Sequence, residues 1–409
     1  MIKDTEQSSL FFAKGYVHKI YKKSRLLYDS IHFESEMASL KKLSGSKFFI
    51  DCFDIGDGEY KMDRYDFELG STTKLNYDNL HRILFSLSIT EILEDLDEIL
   101  RLLKLNNIRH RDIHPGNLLY SEREKCLKLT DFYWSDDIDN KIDLPIPNKE
   151  HPFPLNGNYG TDDELAIKRI KTEIEDYYYV FVQQREKIQA NFISSVGHGA
   201  YKDGSSVFKG YAYHIIDIPG FKEAITYHKN TCIEEYKVIK NTLPIIPETF
   251  IDIGAAEGYF TFNLLRDFDI SRAYAYEADI NVSSFLHRVK FLYRLPQLEV
   301  RGKFDDSINL YRDFDIAIWL NSHMWVYKQL GKEKALQCMA NVLKHCKYMY
   351  FQTCGAYGSG MYKVAEYKNE EDIYHMLMDA GAKDVQVVAK FIGSHGAPRH
   401  MFLVQGEGE

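Results

Sequence analysis

Carboxylate and amide side chains recur at fixed spacing between positions 110 and 133. Asp112 lies in His-Arg-Asp-Ile-His-Pro-Gly-Asn, which ends at Asn117, and Asp131 begins Asp-Phe-Tyr. Phosphoryl transfer requires a carboxylate near the attacking hydroxyl and metal ligands beneath the triphosphate. In this pattern Asp112 is the expected acceptor of the hydroxyl proton, and Asn117 and Asp131 are the expected Mg²⁺ ligands. The spacing therefore predicts an ATP-dependent phosphoryl-transfer site.

The same chemistry needs a cation on the phosphates. Lys19 lies in a predicted strand upstream of the motif, and the helix predicted after that strand carries Glu36 as the partner of Lys19. Glu34 on the same helix is the alternative partner. We expect His110 to brace the loop and His114 to pack, with contact to a substrate phosphate as the alternative for His114. The adenine contacts are expected at Asp63 and Tyr65.

This combination resembles the protein-kinase-like superfamily, and the Asp-Ile-His-Pro-Gly-Asn form is more similar to its sugar and small-molecule kinases. Three features depart from the family pattern. No Gly-rich loop precedes Lys19, Tyr133 replaces the glycine of Asp-Phe-Gly, and no Ala-Pro-Glu motif follows. The resemblance implies a minimal kinase lobe that acts on a small or glycan acceptor. The alternative is a pseudokinase that binds ATP without transferring phosphate.

A second pattern, Phe-Ile-Asp-Ile-Gly-Ala-Ala-Glu-Gly at 250–258, describes an apolar strand that ends in a tight turn. Glycine lets a nucleotide cofactor approach the backbone at the carboxyl end of such a strand. The next predicted strand ends at Glu277, whose carboxylate is placed to hold two ribose hydroxyls. The other predicted cofactor contacts are Asp252, Gly254, Ala255 and Gly258 in the turn and Asp305 beside adenine.

The residues at 314–323 distinguish between a site for a nicotinamide cofactor and a site for S-adenosylmethionine (SAM). They resemble the fourth motif of class I methyltransferases, and the resemblance extends over about residues 221–405, which end in a reversed hairpin. It implies SAM as the cofactor. His323 and Trp325 would shape an acceptor pocket, and Arg399 would bind an anionic acceptor by charge-assisted hydrogen bonds. A capping histidine, a packed indole and a solvated arginine are the alternatives.

Strand and helix patterns predict how the chain is divided. Residues 1–195 mix short strands with helices, as expected for a minimal protein-kinase-like α+β domain. Residues 196–409 begin with a Gly- and Ser-rich linker and continue with alternating strands and helices. That alternation is typical of a Rossmann-like class I methyltransferase domain. We therefore predict an α/β and α+β multidomain chain.

Composition limits the partners and the location. The 409 residues carry a net charge of −9, which disfavours a protein that tracks nucleic-acid phosphates. The six cysteines include no Cys-x-x-Cys pair, so we expect reduced thiols and a cytoplasmic location. No segment approaches about 18 consecutive apolar residues, so no transmembrane segment is predicted. Peripheral association with the inner membrane through a glycan-assembly partner is left open.

A kinase joined to a methyltransferase resembles the bifunctional enzymes that terminate bacterial surface polysaccharides such as O-antigens. That resemblance implies phosphorylation of the terminal sugar with Mg-ATP, followed by methylation of the phosphate with SAM, which caps the chain. Arg399 is our candidate for the residue that holds the phosphate. The order of the two domains is reversed relative to that family. Two independent small-molecule activities and a methyltransferase regulated by a pseudokinase are the alternatives.

Overall fold

The computed structural model describes residues 2–4, 8–13, 16–21, 26–56, 58–63, 65–138, 159, 161–196, 212–222, 225, 227–229, 231–354, 363–392 and 398–408. The chain divides into two compact units, Met1–Gln183 and Gln184–Glu409. The helix Asp163–Val196 crosses this division, and the domain boundary predicted after residue 195 falls near the end of that helix. Both units contain helices and strands, which confirms the predicted mixed α/β character.

The first unit opens with an antiparallel sheet. Its strands are β1 (Ile2–Asp4), β2 (Ser8–Phe12), β3 (Tyr16–Tyr21), β4 (Cys52–Phe53) and β5 (Glu59–Asp63). They lie in the order β1-β2-β3-β5-β4, and helix α1 (Leu26–Leu43) joins β3 to β4. Burial alternates along β3, so Val17, Lys19 and Tyr21 share the interior face. This register directs the Lys19 ammonium into the unit.

The rest of the first unit contains short strands and longer helices. These are β6 (Phe67–Glu68), α2 (Tyr77–Ser86), α3 (Ile89–Leu105), β7 (Ile108–Arg109), β8 (Leu118–Ser121), β9 (Cys126–Leu129), β10 (Asp136–Asp137) and α4 (Asp163–Val196). Both α2 and α3 bury an apolar face and begin at a side-chain cap, from Asn76 and Ser88 respectively. Helix α3 contacts β9 of the following hairpin, and its Asp95 carboxylate accepts a hydrogen bond from the Leu127 N–H at 2.9 Å.

The β8–β9 hairpin sets the positions of the two predicted metal ligands. β8 begins directly after Asn117, and β9 ends two residues before Asp131. Leu118 pairs with Leu129, which places Asn117 opposite Thr130. Every residue of both strands is buried, so a register slip would move the whole buried set. The hairpin therefore holds Asn117 close to the residue that precedes Asp131.

The second unit is built on a seven-stranded sheet. Its elements are β11 (Ala212–His214), β12 (Tyr227–Lys229), α5 (Thr231–Thr242), β13 (Thr249–Ile253), α6 (Tyr259–Asp267), β14 (Arg272–Tyr276), α7 (Ile280–Leu292), β15 (Leu298–Arg301), β16 (Phe314–Leu320), α8 (His323–Leu330), α9 (Lys332–Lys344), β17 (Cys346–Gln352), α10 (Glu370–Asp379), β18 (Asp384–Ile392) and β19 (Pro398–Gln405). The first two strands pair with each other, outside the large sheet.

The strand order of the large sheet creates a crevice. The order is β15-β14-β13-β16-β17-β19-β18, with β13 to β17 parallel and β19 antiparallel to both neighbours. From β13 the polypeptide first adds β14 and β15 on one side of that strand. It then crosses over and adds β16 and β17 on the other side. Open α/β sheets bind ligands outside the carboxyl ends of the strands at such a reversal. The candidate cofactor site of this unit therefore lies beyond Ile253 and Leu320.

Two predictions from the residue pattern are wrong in detail. The pattern at 48–53 predicts a strand, but the strand is only Cys52–Phe53, because Phe49 instead forms an isolated bridge with Leu129. The spacing from Phe33 to Leu43 predicts a helix, and that helix begins earlier, at Leu26. The proline-containing residues 136–162 predict a long loop at the position of a kinase activation segment, and they fall mostly outside the described residues. In the described part of the chain, no helix combines the length and the apolar character needed to cross a membrane.

Candidate active sites

The first candidate site is organised around Lys19. Its ammonium lies 3.1 and 3.2 Å from the two carboxylate oxygens of Glu36 and 2.7 Å from Oδ1 of Asp131. Burial opposes the charge, but the two carboxylates hold the pKa of Lys19 well above its usual range. Lys19 in turn holds the pKa of Asp131 below its usual value, although burial alone would raise it. The structure thus joins three residues from distant parts of the sequence, and Glu34, the alternative partner, is exposed.

Glu36 is fixed from several directions. It is fully buried, and its carboxylate accepts hydrogen bonds from the Tyr60 hydroxyl at 3.0 Å, the Phe132 N–H at 3.1 Å and the Tyr21 hydroxyl. A buried carboxylate is tolerated only when charges and donors surround it. Neither tyrosine was identified from the sequence. The alternation along β3 places Tyr21 on the same face as Lys19, which is a signal that could have found it.

The loop from His110 to Asn117 is held by hydrogen bonds that place Asp112. The Asn117 side-chain amide donates to the Asp112 carbonyl at 2.9 Å, and the Thr130 N–H donates to the Asn117 carbonyl at 3.0 Å. His110 Nε2 lies 2.9 Å from the Thr130 carbonyl, while its Nδ1 accepts from the Asp112 N–H at 3.3 Å. Burial lowers the pKa of His110 to about 4, so the imidazole is neutral. In the structure His110 therefore links the loop to the strand that leads to Asp131.

Asp163 at the start of α4 is a residue that sequence reasoning missed. Its two carboxylate oxygens accept from the His110 N–H at 2.7 Å and the Arg111 N–H at 2.8 Å. Arg111 has a positive φ of 66°, and Asp131 has one of 61°. Such backbone conformations cost free energy in residues other than glycine and cluster at functional sites. Asp163 stabilises one of them from a helix about fifty residues away in sequence.

His114 is buried, as expected of a packing residue, and a hydrogen bond also fixes its ring. Its Nδ1 accepts from the Gly116 N–H at 3.0 Å, so the proton of a neutral ring is on Nε2. That Nε2 lies 3.8 Å from Oδ1 of Asp112. The ring thus faces the carboxylate that was predicted to accept the substrate proton.

The predicted adenine contacts differ in their surroundings. Asp63 is exposed at the end of β5, where its Cα pairs with that of Tyr16. Tyr65 is partly buried, and its ring contacts Phe12 edge-on at 5.9 Å between centroids. Burial, then Glu68, raises the pKa of Tyr65. Their predicted contact with a nucleotide stays a prediction.

The residues of this site fit Mg-ATP. Asp131 uses Oδ1 for Lys19, and its side chain remains 44% exposed, so Oδ2 is available to a metal ion. The Asn117 amide nitrogen is engaged with Asp112, which leaves its oxygen as a ligand. Carboxylate and amide oxygens are ligands that Mg²⁺ uses beside phosphates. Lys19 would supply the cation that the phosphates require.

The second candidate site lies at the carboxyl end of β13. Gly254 and Gly258 have φ angles of 79° and 82°, and an added Cβ at either would lie within 2.5 Å of a neighbouring side chain. The N–H groups of Gly254 and Ala255 both donate to the Tyr276 carbonyl at 2.9 Å. These bonds tie the turn to the end of β14. The close-packed turn, which has no side chain at Gly254 or Gly258, fits a nucleotide cofactor such as SAM.

Glu277 joins the turn to the start of α7. One carboxylate oxygen accepts from the Ala256 N–H at 2.9 Å and the other from the Asp279 N–H at 2.7 Å. Each oxygen retains a lone pair for a ribose hydroxyl. Asp305 instead closes a local turn, because its Oδ1 accepts from the N–H and hydroxyl of Ser307. Its predicted contact with adenine stays a prediction.

Asp252 is expected to make the stability of the second unit depend on pH. Burial, and secondarily the Glu277 carboxylate, raises its pKa to about 7, although the Thr261 hydroxyl donates to it at 2.6 Å. An unfolded aspartate titrates near 3.9, so the folded state holds the proton more tightly. The contribution of protonated Asp252 to the free energy of unfolding is therefore complete below about pH 4 and is lost as the pH rises through 7. Asp252→Asn should remove this loss, which is at most about 4 kcal/mol.

The measurement is the melting temperature without cofactor between pH 5 and 8. The difference between Asp252→Asn and the wild type should grow in favour of the variant as pH rises. Asp305→Asn is the control, since hydrogen bonds from Ser307 lower the pKa of Asp305 and its titration ends below this range. Its effect should be constant from pH 5 to 8. Parallel curves for Asp252→Asn would show that the buried aspartate does not titrate there.

The predicted acceptor residues lie beyond the ends of β16 and β17. His323 is fully buried at the first residue of α8, among the rings of Trp319, Tyr327, Phe351 and Tyr367. Burial lowers its pKa to about 4. Trp325 is 38% exposed on the same helix. The structure therefore places His323 in the interior, where it is not the capping histidine of the alternative because Ser322 is the N-cap residue, and leaves Trp325 accessible.

Arg399 belongs to a hydrogen-bonded chain with two residues that the sequence did not reveal. Its Nη1 donates to Oδ1 of Asn321 at 3.4 Å, and the Asn321 amide nitrogen donates to Oε1 of Gln352 at 2.6 Å. Asn321 has a positive φ of 58° directly after β16. The next residue, Ser322, donates its hydroxyl to the Ile253 carbonyl at 2.7 Å. The hydrogen-bonded series Gln352, Asn321 and Arg399 therefore lies next to the glycine turn.

Several buried polar atoms near this edge have no hydrogen-bond partner within the described ranges. They are Trp319 Nε1, both ring nitrogens of His323, Gln352 Nε2, Thr353 Oγ1 and the Tyr367 hydroxyl. Unpaired buried polar groups are rare because each costs free energy. Their concentration at the carboxyl ends of two adjacent strands marks this edge as a place for water or a polar ligand.

Solved structures similar to the chain include the bifunctional kinase-methyltransferase WbdD and the N-terminal domain of EvdMO1. WbdD is 14% identical, with a TM-score of 0.39, over 48% of this chain and 44% of the WbdD chain. The EvdMO1 domain, crystallised in the presence of SAH and D-fucose, is 12% identical, with a TM-score of 0.39, over 54% of this chain and 97% of that domain. The chain thus matches less than half the length of WbdD. No protein-family model matches the chain.

Proposed function

We propose that the chain contains two transferase sites that act in sequence on one acceptor. The first, in residues 1–183, would transfer the terminal phosphoryl group of Mg-ATP to a sugar hydroxyl. The second, in residues 184–409, would transfer the methyl group of SAM to that phosphate. The acceptor is the terminal sugar of a surface polysaccharide, and the methyl phosphodiester would prevent further extension. A glycan-assembly partner would bring this acceptor to the chain at the inner membrane.

The observation that carries the proposal is the meeting of Lys19, Glu36 and Asp131, since Lys19 and Asp131 are 112 residues apart in sequence. The ion pair and the metal-binding aspartate must both be in place for this type of phosphoryl transfer. Bound Mg²⁺ would neutralise charge on the phosphates. Asp112 would take the proton of the attacking hydroxyl as the new O–P bond forms and ADP departs. Lys19 would hold the phosphates in position.

The methyl-transfer step needs orientation more than acid–base chemistry. A phosphate monoester carries a nucleophilic oxygen at neutral pH, so no general base is required. The new O–CH₃ bond forms as the S–CH₃ bond breaks, and the product is the neutral thioether SAH. Glu277 and the turn at Gly254 would hold the methyl donor, and Arg399 would orient the phosphate. Reaction then depends on bringing the two groups together.

The surroundings of Arg399 support an anionic acceptor. Its single hydrogen bond, to Asn321, is long, and no carboxylate of the described residues forms an ion pair with it. A guanidinium normally binds carboxylate or phosphate through two parallel bonds. In a protein with a net charge of −9, an arginine with no acidic partner among the described residues is notable at this edge of the sheet. The side-chain N–H of Gln352, which also has no partner in the described part of the chain, would add a donor.

We expect methyl transfer to require Mg-ATP. Methyl-labelled SAM and a lipid-linked glycan extract are incubated with the full chain, with and without Mg-ATP. Label should enter the glycan only when Mg-ATP is present, because the phosphate that receives the methyl group is made by the first site. Alkaline phosphatase, added after phosphorylation and removed before SAM, should abolish the label.

Each rival function gives a different pattern. Label that is independent of Mg-ATP would contradict methylation of phosphate and favour two independent activities. Label that needs ATP but not its transfer, as tested with a non-hydrolysable ATP analogue, would indicate a methyltransferase regulated by a pseudokinase. Salt-sensitive methylation of added RNA would indicate a nucleic-acid substrate.

A further inference from the structure

Helix α1 carries a row of buried polar residues toward the segment that follows Asp131. The row consists of His32, Ser35, Glu36 and Ser39. Their spacing of three and four residues places them on one face of the helix. Buried polar side chains require partners, and a polar stripe on an interior helix face is unusual. The partners of this row therefore reveal what holds the helix.

All four residues find a partner within Phe132–Ser135, and we call these contacts the α1 clamp. The Phe132 N–H donates to Glu36 at 3.1 Å, His32 Nδ1 lies 2.7 Å from the Tyr133 carbonyl, the Ser35 hydroxyl donates to the Ser135 carbonyl at 2.6 Å, and the Ser39 and Ser135 hydroxyls lie 2.9 Å apart. Since a carbonyl can only accept, His32 donates from Nδ1. The clamp thus joins Glu36 to the residues that directly follow Asp131.

Tyr133 contributes a side chain where the kinase-like family has glycine. Its ring stacks on the His32 ring, with centroids 4.2 Å apart and an interplanar angle of 17°. It also stacks with the Tyr21 ring, at 5.8 Å and 20°, and contacts the Trp134 ring edge-on at 5.2 Å. Tyr21 also donates its hydroxyl to Glu36. The Tyr133 ring therefore packs against both α1 and β3, the two elements that carry Glu36 and Lys19.

We propose that His32 and Tyr133 are positioning residues that keep Lys19, Glu36 and Asp131 assembled without a phosphorylation switch. The inference rests on the proposed phosphoryl transfer. In protein kinases, phosphorylation of the activation loop controls whether this ion pair and this aspartate are in place. Here a rotation or displacement of α1 would break several buried hydrogen bonds at once and leave their groups unpaired. The clamp therefore holds the assembled arrangement.

The arginine of the His-Arg-Asp motif supports the same conclusion. Arg111 Nη2 lies 2.6 Å from Oδ2 of Asp136, and Arg109 Nε lies 2.9 Å from Oδ1 of the same carboxylate. Asp136 is largely buried, and its backbone pairs with Arg109 through the β7–β10 ladder. A phosphate on an activation loop acts by pairing with arginine. The protein already supplies that anion through its own aspartate.

Tyr133→Gly, compared with Tyr133→Phe, tests the clamp. In Tyr133→Gly, amide hydrogen exchange over residues 32–43 should quicken by at least about tenfold, because the stacked ring is lost. The kcat for phosphoryl transfer into the glycan extract should fall by about ten- to a hundredfold, and the KM for Mg-ATP should rise. Tyr133→Phe keeps the ring and should retain both properties. Wild-type protein treated with a protein phosphatase should retain full activity.

The outcomes separate this inference from the proposed function. Unchanged exchange and unchanged kcat in Tyr133→Gly would overturn the positioning role, as would loss of wild-type activity after phosphatase treatment. Wild-type protein without Mg-ATP turnover, together with faster exchange in Tyr133→Gly, would leave the clamp in place and refute phosphoryl transfer. Melting temperatures of the three proteins distinguish a local loosening of α1 from general destabilisation.

Discussion

Replacing Asp112 with asparagine is expected to reduce phosphoryl transfer by about a thousandfold, the typical contribution of a positioned general base. Asparagine keeps the size of the side chain but cannot take the hydroxyl proton. The backbone contacts of residue 112, from the Asn117 amide and to His110 Nδ1, are independent of the side chain. The loop should therefore keep its conformation. The measurement is transfer of label from γ-labelled ATP into the lipid-linked glycan extract.

Asp97→Asn is the matched control, because Asp97 is a solvent-exposed aspartate of the same unit that pairs with Lys171. It should retain wild-type transfer. Binding of SAM and of Mg-ATP should be nearly unchanged in Asp112→Asn, which would separate loss of chemistry from loss of folding. If Asp112→Asn transfers phosphate at a rate within about threefold of the wild type, Asp112 is not the general base. Such a reduction would be far smaller than the effect expected when a general base is lost. His114, whose Nε2 faces Asp112, would then be the next residue to replace.

Local spacing explains why the sequence could predict which residues meet at the first candidate site. The separation of Asn117 from Asp131 is the length of one buried hairpin with its flanking residues, so sequence distance and spatial distance are linked. The partner of Lys19 could be narrowed to one helix, because α1 follows β3 directly. By contrast, Asp163 supports the loop from the far side of a segment rich in proline. No pattern in the sequence specifies that long-range contact.

The second candidate site shows a different limit. The turn at Gly254 is predictable because glycine is required where φ is positive and side chains crowd the backbone. Asn321 also adopts a positive φ. Asparagine does so only in some contexts, so an asparagine at position 321 did not by itself predict this backbone conformation. The unpaired atoms around His323 depend on which groups fail to meet in three dimensions. Periodicity along the chain cannot reveal a missing partner.

Gly254→Ala is expected to weaken SAM binding by about ten- to a hundredfold, the equivalent of an overpacking cost of a few kcal/mol. The added Cβ would lie 2.5 Å from both Cβ and Oγ of Ser322, at a φ of +79°. Ser322 cannot simply turn away, since its hydroxyl is bonded to the Ile253 carbonyl. The turn must therefore shift, and with it the backbone that would receive the cofactor. The measurement is SAM affinity by calorimetry, with methyl transfer following in proportion.

Three further variants separate the clash from backbone strain. Gly381→Ala introduces strain alone, because its φ is +100° and no atom lies within 4 Å of the added Cβ, while Gly302→Ala introduces neither effect. Both should keep SAM affinity, although Gly381→Ala should be less stable by about 1 kcal/mol. The double variant Gly254→Ala/Ser322→Gly removes the only atoms that the new Cβ would meet. It should recover most of the lost affinity if close packing shapes the turn for SAM. The outcome that would contradict this is a double variant that still binds SAM weakly while its melting temperature equals that of Gly381→Ala. The cofactor site would then require Gly254 for its positive φ and not for the space beside Ser322.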